Sequence, residues 1–289
     1  MWFWYALLSA AVSAISVILN KKALKNINTS LVSWSLFAFS IPLLIYPALK
    51  DGWPKINTVF LLASFASVVA FTYAKTLSLR SLKSSLVSEI IPLSFFAVLF
   101  QYFFGLIFLS QSLKTLPFVG LLLIVIGGYL LKVEEAREDI LKPLKLLVTN
   151  RPSLFYLIAM IIMPLATVFD KIALNNIKPI NQSFYLLVGN ILTTILLSIY
   201  LTNKNKNWMK DLKNNFWTLL LNGIAFTVVS LLFLYGITTG ALALVSGVKK
   251  LEVFFVLILG WFLFGDKPKR GVWIGSLIML LGVILIKIG

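Results

Sequence analysis

Lys249, Lys250 and Glu252 stand near the middle of an otherwise apolar run, residues 241–265. That run is long enough to cross a bilayer, which takes about 20 apolar residues for roughly 30 Å of hydrocarbon. A charge at such depth costs about 2.5–3.5 kcal/mol on insertion scales, so it normally faces a protein interior or a watery cavity. Lys249 and Glu252, three residues apart on one helix face, can pair with each other. Lys250 points about 100° away from Lys249 and cannot join the same pair. One ammonium is then left over, and the chemistry open to it is attraction of an anionic group such as a carboxylate.

Other residues invite the same question. Glu89, in SSLVSEIIP, is a further acid inside an apolar stretch. A carboxyl there suits proton coupling, with pairing to Lys75, Arg80 or Lys83 as the structural alternative. Lys21 and Lys171 each end an apolar stretch at matched positions of an internal repeat. They are candidate binding residues, or lysines that snorkel to the interface. Tyr73 and Tyr235, with Trp34, Phe95, Gln101 and Asn190, are candidate cavity-lining residues, or else lipid-facing and core positions.

The chain contains no cysteine and no histidine. Disulfides, thiolate nucleophiles and thiolate metal sites are thereby excluded, as is the commonest general base and metal ligand. No phosphate-binding loop, nucleotide fingerprint or metal-ligand cluster is present, so the expectation is no cofactor, no metal and no catalysis. An integral membrane enzyme is the weaker reading.

The elements that must position these residues are membrane spans. Of 289 residues, 60% are hydrophobic and only 12% charged; a soluble domain is about a quarter charged. The net charge of +16 belongs to basic connecting loops rather than to a nucleic-acid surface. Partners are then a small-molecule substrate and membrane lipid, not nucleic acid, with the chain a monomer or homodimer. Hydropathy places about ten spans: 2–20, 31–49, 57–79, 85–109 and 116–132, then 153–174, 182–201, 216–239, 241–264 and 270–288. Residues 2–19 read as a first span, not a cleaved signal, because Lys21 and Lys22 follow instead of preceding them. Pro42, Pro92 and Pro164 fall inside spans and should kink them. The fold class is an all-α integral membrane protein.

The long connection 133–151 divides the chain into residues 1–132 and 152–289. Ile140, Leu141 and Leu144 give it one apolar face, as a surface amphipathic helix or a solvated linker. The halves repeat. NKKALKNI at 20–27 is matched by DKIALNNI at 170–177, sharing Lys, Ala, Leu, Asn and Ile in register. Leu86-Val87-Ser88 is echoed by Leu244-Val245-Ser246, Phe104-Gly105 by Phe264-Gly265, and Gly120 and Gly127 by Gly275 and Gly282. Five spans are an odd number, so the second copy enters from the opposite side. The result is two inverted five-helix repeats, the arrangement that rocks around a midplane site.

These residues resemble the drug/metabolite transporter superfamily, EamA type. The likeness rests on the basic step after the first span of each half and on LVSEIIPL and LVSGVKKLEVFF entering the fourth. It rests also on the passage from Phe264 to Gly275 and the glycine-rich ending through Val283. It covers essentially the whole chain. It implies ten spans, no cofactor, and transport of small metabolites, often outward, across the plasma (inner) membrane. A secondary transporter of an amino acid or related compound is the leading expectation, and a lipid or sugar-lipid flippase the alternative. Two positions depart from the family pattern. The first half has Leu106, not an acid, after Gly105, and Lys250 stands opposite Pro92.

Charge distribution addresses orientation. Connections after spans 1, 3, 5, 7 and 9 hold most of the basic residues, among them Lys22, Arg80, Arg137, Lys204 and Lys267, and the other side holds few. The positive-inside rule then puts both termini outside, whereas the resemblance implies both inside. On the charge count, a single cysteine at Asn57 should react with an impermeant thiol reagent on intact cells and one at Asn205 should not. Labelling of Asn205→Cys would reverse the assignment.

Overall fold

A computed structural model describes residues 1–24, 27–84, 91–136, 145, 151–204, 208–264 and 270–289. Glu89, the segment with Ile140, Leu141 and Leu144, and Asp266 lie outside the described residues. The helices are α1 (Trp2–Leu24), α2 (Thr29–Ala38), α3 (Ser40–Leu49), α4 (Thr58–Ser84), α5 (Ala97–Leu109) and α6 (Thr115–Ala136). A 3-10 turn, Ile91–Phe95, leads into α5. The second half brings α7 (Arg151–Asn175), α8 (Gln182–Lys204), the short α9 (Trp208–Asn214), α10 (Phe216–Thr239), α11 (Leu242–Lys249), α12 (Glu252–Phe264) and α13 (Arg270–Ile288).

Among the described residues, eight segments are long and apolar enough to cross a membrane. Two further passes of the ten expected fall outside that count. The third lies in α4, whose described apolar stretch is Thr58–Ala74, and the ninth is divided between α11 and α12. The second pass is also divided, at Phe39 between α2 and α3. Pro42 explains that break, because its ring clashes with the carbonyl four residues back, Ala38, where α2 ends. Pro164 sits within a continuous α7.

The topology is inverted. After α3 comes strand β1 (Lys55–Ile56), which pairs antiparallel with β2 (Ile177–Lys178) after α7. Hence α3 and α7 end on one membrane face and α1 ends on the other. Lys21 and Lys171, matched in sequence, therefore lie toward opposite faces. Their neighbours build matching clusters there. Ala23 and Ile27 are buried with Leu31, Leu201, Trp208 and Leu219 on one face, and Ala173 and Ile177 with Leu44, Ala48, Phe60 and Phe184 on the other.

The fifth helices of the halves, α6 and α13, pack along each other. A methyl at Gly120 would lie 2.5 Å from the Gly282 carbonyl oxygen, and one at Gly282 equally close to that of Gly120. Gly127 and Gly275 show the same reciprocity at 2.6 and 2.7 Å. With Gly120 answering Gly275 and Gly127 answering Gly282 in the repeat, a two-fold rotation exchanges the two contacts. Small residues permit this approach of backbones in lipid. Because the obstacle is backbone, Gly127→Ala should force α6 and α13 apart. The expected loss is about 1–3 kcal/mol, read as a lower melting temperature in detergent. Gly260→Ala, where nothing lies within 4 Å of the added carbon, should leave it unchanged.

Candidate functional site

A cavity of about 450 Å³ lies among α4, α5, α7, α8, α10 and the break between α11 and α12. That volume is within the range of small-molecule sites. Most of its wall is apolar, with Phe71, Phe226 and Phe233 among the lining residues, and its polar groups are few.

The break explains why the charges of the ninth pass sit there. The Lys250 N–H donates to both Ser246 and Gly247 carbonyls, at 3.2 and 3.0 Å. Leu251 donates to Val248 and Val253 to Lys250, each three residues back, before Phe255 restores the four-residue spacing. Among the described residues neither lysine reaches Glu252 within ion-pair distance. Ser13 of α1 instead donates its hydroxyl to Glu252 Oε2 at 2.5 Å. Lys249 Nζ lies over the Phe233 ring, 4.6 Å from its centre, and Lys250 Nζ lies 5.2 Å from that of Phe95. Ring faces attract ammonium groups at these distances, and Glu252 adds a longer-range attraction to both lysines without a direct ion pair among the described residues. The second half thus keeps a break where the first has Pro92, although Lys250 has replaced the proline.

Across the cavity stands Asp170 of α7. Tyr185 of α8 donates its phenol to Asp170 Oδ1 at 2.5 Å, and Ser67 of α4 donates to the same oxygen. The Ser64 and Ser246 hydroxyls line the cavity, buried and, among the described residues, without hydrogen-bond partners. Gln101 and Asn190 also line it. Asn190 Nδ2 donates to Ser40 Oγ at 2.6 Å, and Ser40 donates to the Phe37 carbonyl at 2.5 Å, so the α2–α3 break is satisfied internally.

The structure gathers Lys249, Lys250, Glu252, Gln101 and Asn190 in this cavity and places the other described candidates elsewhere. Lys171 turns to a second recess, shared with Lys114 and Lys287, where Nζ donates to the Gly240 carbonyl at 2.6 Å. That carbonyl closes the C-terminus of α10, the negative end of its dipole. Tyr73 is 56% exposed on the outer surface of α4. Tyr235 stacks on Tyr5, with ring centres 5.5 Å apart. Trp34 donates to Ser198 Oγ at 2.7 Å and packs edge-on to Trp208. Phe95 is buried beneath Lys250. Lys21 lies in α1, its side chain outside the described part. Asp170 was legible only as one of three positions where the two repeat motifs differ, Asn20 against Asp170.

A multi-pass helical membrane protein with inverted halves and a central, sparsely polar cavity is built as a membrane transporter. The EamA-like transporter family model matches residues 1–133 and 151–288. The chain belongs to that family, within the drug/metabolite transporter superfamily. No curated protein matches the sequence significantly. A solved structure titled only "Crystal structure of protein" is similar in fold, with a TM-score of 0.70 over 98% of this chain and 94% of its own at 14% identity.

Removing the donor to Glu252 tests the geometry of the break. Ser13→Ala leaves that carboxylate without its hydrogen bond, at a cost of about 1–3 kcal/mol. A drop in melting temperature is expected, reversed when Glu252→Gln is added.

Proposed function

We propose that the chain is a secondary transporter that exports a small metabolite, such as an amino acid or related organic compound, across the plasma (inner) membrane. Alternating access is the mechanism: residues 1–132 and 152–289 rock against each other around the central cavity, joined by 133–151. The observation that carries this reading is the pair of ammonium groups at the α11–α12 break. Lys249 and Lys250 line a cavity of metabolite size, supported by aromatic rings, and among the described residues no carboxylate is within ion-pair reach. A buried cation so placed offers its charge to an anionic group of the substrate, and the unpartnered Ser64 and Ser246 hydroxyls supply neutral hydrogen bonds. Holding such charges in the membrane is costly, and binding accounts for it. The competing reading is a lipid or sugar-lipid flippase. It draws on the lysines of the second recess, Lys114, Lys171 and Lys287, which suit a phosphate headgroup.

Lys249→Met keeps the apolar stem and deletes the ammonium. Because no ion pair is lost, the melting temperature in detergent should hold, while ligand-induced stabilisation by amino acids and related compounds disappears. Lys249→Met combined with Glu252→Gln should also fold and fail to bind. Recovery of the ligand response in the double variant would refute the role of Lys249. A response to lipid phosphates alone would favour the flippase.

A further inference from the structure

Asp170, like Glu252, is a charged group of the cavity that the binding of an anion leaves unused. It lies on α7 in the span Ser153–Asn175, where an ionisable side chain marks a pathway, a relay or a fixed pair. A fixed pair is not what surrounds it. Among the described residues no lysine or arginine is within ion-pair reach, and the partners on Oδ1 are the hydroxyls of Ser67 and Tyr185. Lys171, next in sequence, points away to the Gly240 carbonyl.

Hydroxyl partners differ from a cationic one in a specific way. An ammonium or guanidinium only donates and would fix the carboxylate in its charged form, whereas Ser and Tyr hydroxyls both donate and accept. When Asp170 is ionised, both hydroxyls point at it, as here. When a proton sits on the carboxyl, it donates to one of them, and the cluster stays hydrogen-bonded. Both states are thus accommodated without moving a helix. The fold does not itself require an acid here. The matching position of the first half is Asn20, whose Nδ2 donates to Ser16 Oγ at 3.4 Å.

The titratable surroundings are simple. From α8, Tyr185 touches the carboxyl. Tyr73 of α4, Tyr102 of α5 and Tyr235 of α10 are turned elsewhere, the first outward and the others onto Phe118 and Tyr5. From the α11–α12 break, Lys249, Lys250 and Glu252 face the same cavity. A proton moving between cavity water and Asp170 therefore changes the charge of the chamber by one, opposite Lys249, Lys250 and Glu252.

We propose that Asp170, held by Ser67 and Tyr185, is a proton-binding site on the wall of the central cavity. As the point of coupling to a proton gradient it rests on the transport reading; as a proton site it stands alone. The test needs no substrate. Dicyclohexylcarbodiimide modifies a membrane-embedded carboxyl in its protonated form, and peptide mass spectrometry locates the adduct. In the full-length protein an adduct is expected on Asp170, with a yield falling about tenfold per pH unit above its midpoint. It should be absent from Asp170→Asn and retained in Asp170→Glu, and Tyr185→Phe should move the midpoint. No adduct at any pH, or a yield indifferent to pH, overturns the proposal. Ligand response through Lys249 is measured separately, so a failure of the transport reading leaves the labelling result readable.

Discussion

The arrangement hangs on the mutual approach of α6 and α13 at four glycines. Within hydrocarbon there is no hydrophobic drive between helices, so association rests on close packing. Two backbone contacts exchanged by a two-fold rotation set the axis between the halves. The remaining packing follows in matched pairs. Helix α4 runs along α7 as α10 runs along α1, and α5 meets α7 as α12 meets α1. The cavity lies where these pairs stand apart.

A second constraint shapes that cavity. Backbone polar groups in a membrane must be satisfied internally, and irregular backbone survives only where it is buried in protein or lines a cavity. The divided passes obey this. At the α2–α3 break, the Ser40 hydroxyl bonds the Phe37 carbonyl and is itself held by Asn190. At the α11–α12 break, three-residue spacing takes up the N–H groups and leaves two lysines turned to the chamber. Charge and irregularity coincide because both require the same sheltered place.

Much of this was readable from the sequence. Apolar stretches of bilayer length announced the passes, and the register of NKKALKNI with DKIALNNI announced the repeat. Lys249, Lys250 and Glu252 were conspicuous because charge is rare at that depth. What escaped reading has a physical reason in each case. The repeat drew attention to the shared Lys171, yet a helix turns about 100° per residue. The lysine therefore faces a helix end while its unshared neighbour Asp170 faces the cavity. The spacing of Lys249 and Glu252 promised a pair, but spacing fixes a shared face and not where two long side chains end, and no proline or glycine at Lys250 or Leu251 marks the tightened turn. Tyr73 and Tyr235 illustrate a plainer ambiguity, since an aromatic residue suits lipid, core or cavity equally well.

Several bonds between the halves gather at one rim. The short β1–β2 ladder lies there, as do Asn57 to Asn176, Asn181 to the Ala48 carbonyl, and the Leu242 N–H to Gln111. At the other rim the described residues join the halves through Trp34 and Ser198 and through the apolar cluster of Ala23, Ile27 and Leu31 with Leu201, Trp208 and Leu219. Spreading the first rim means unfastening a whole row of clasps together. The mouth of the chamber on that face is a latched door, held by many small bonds that must part as one.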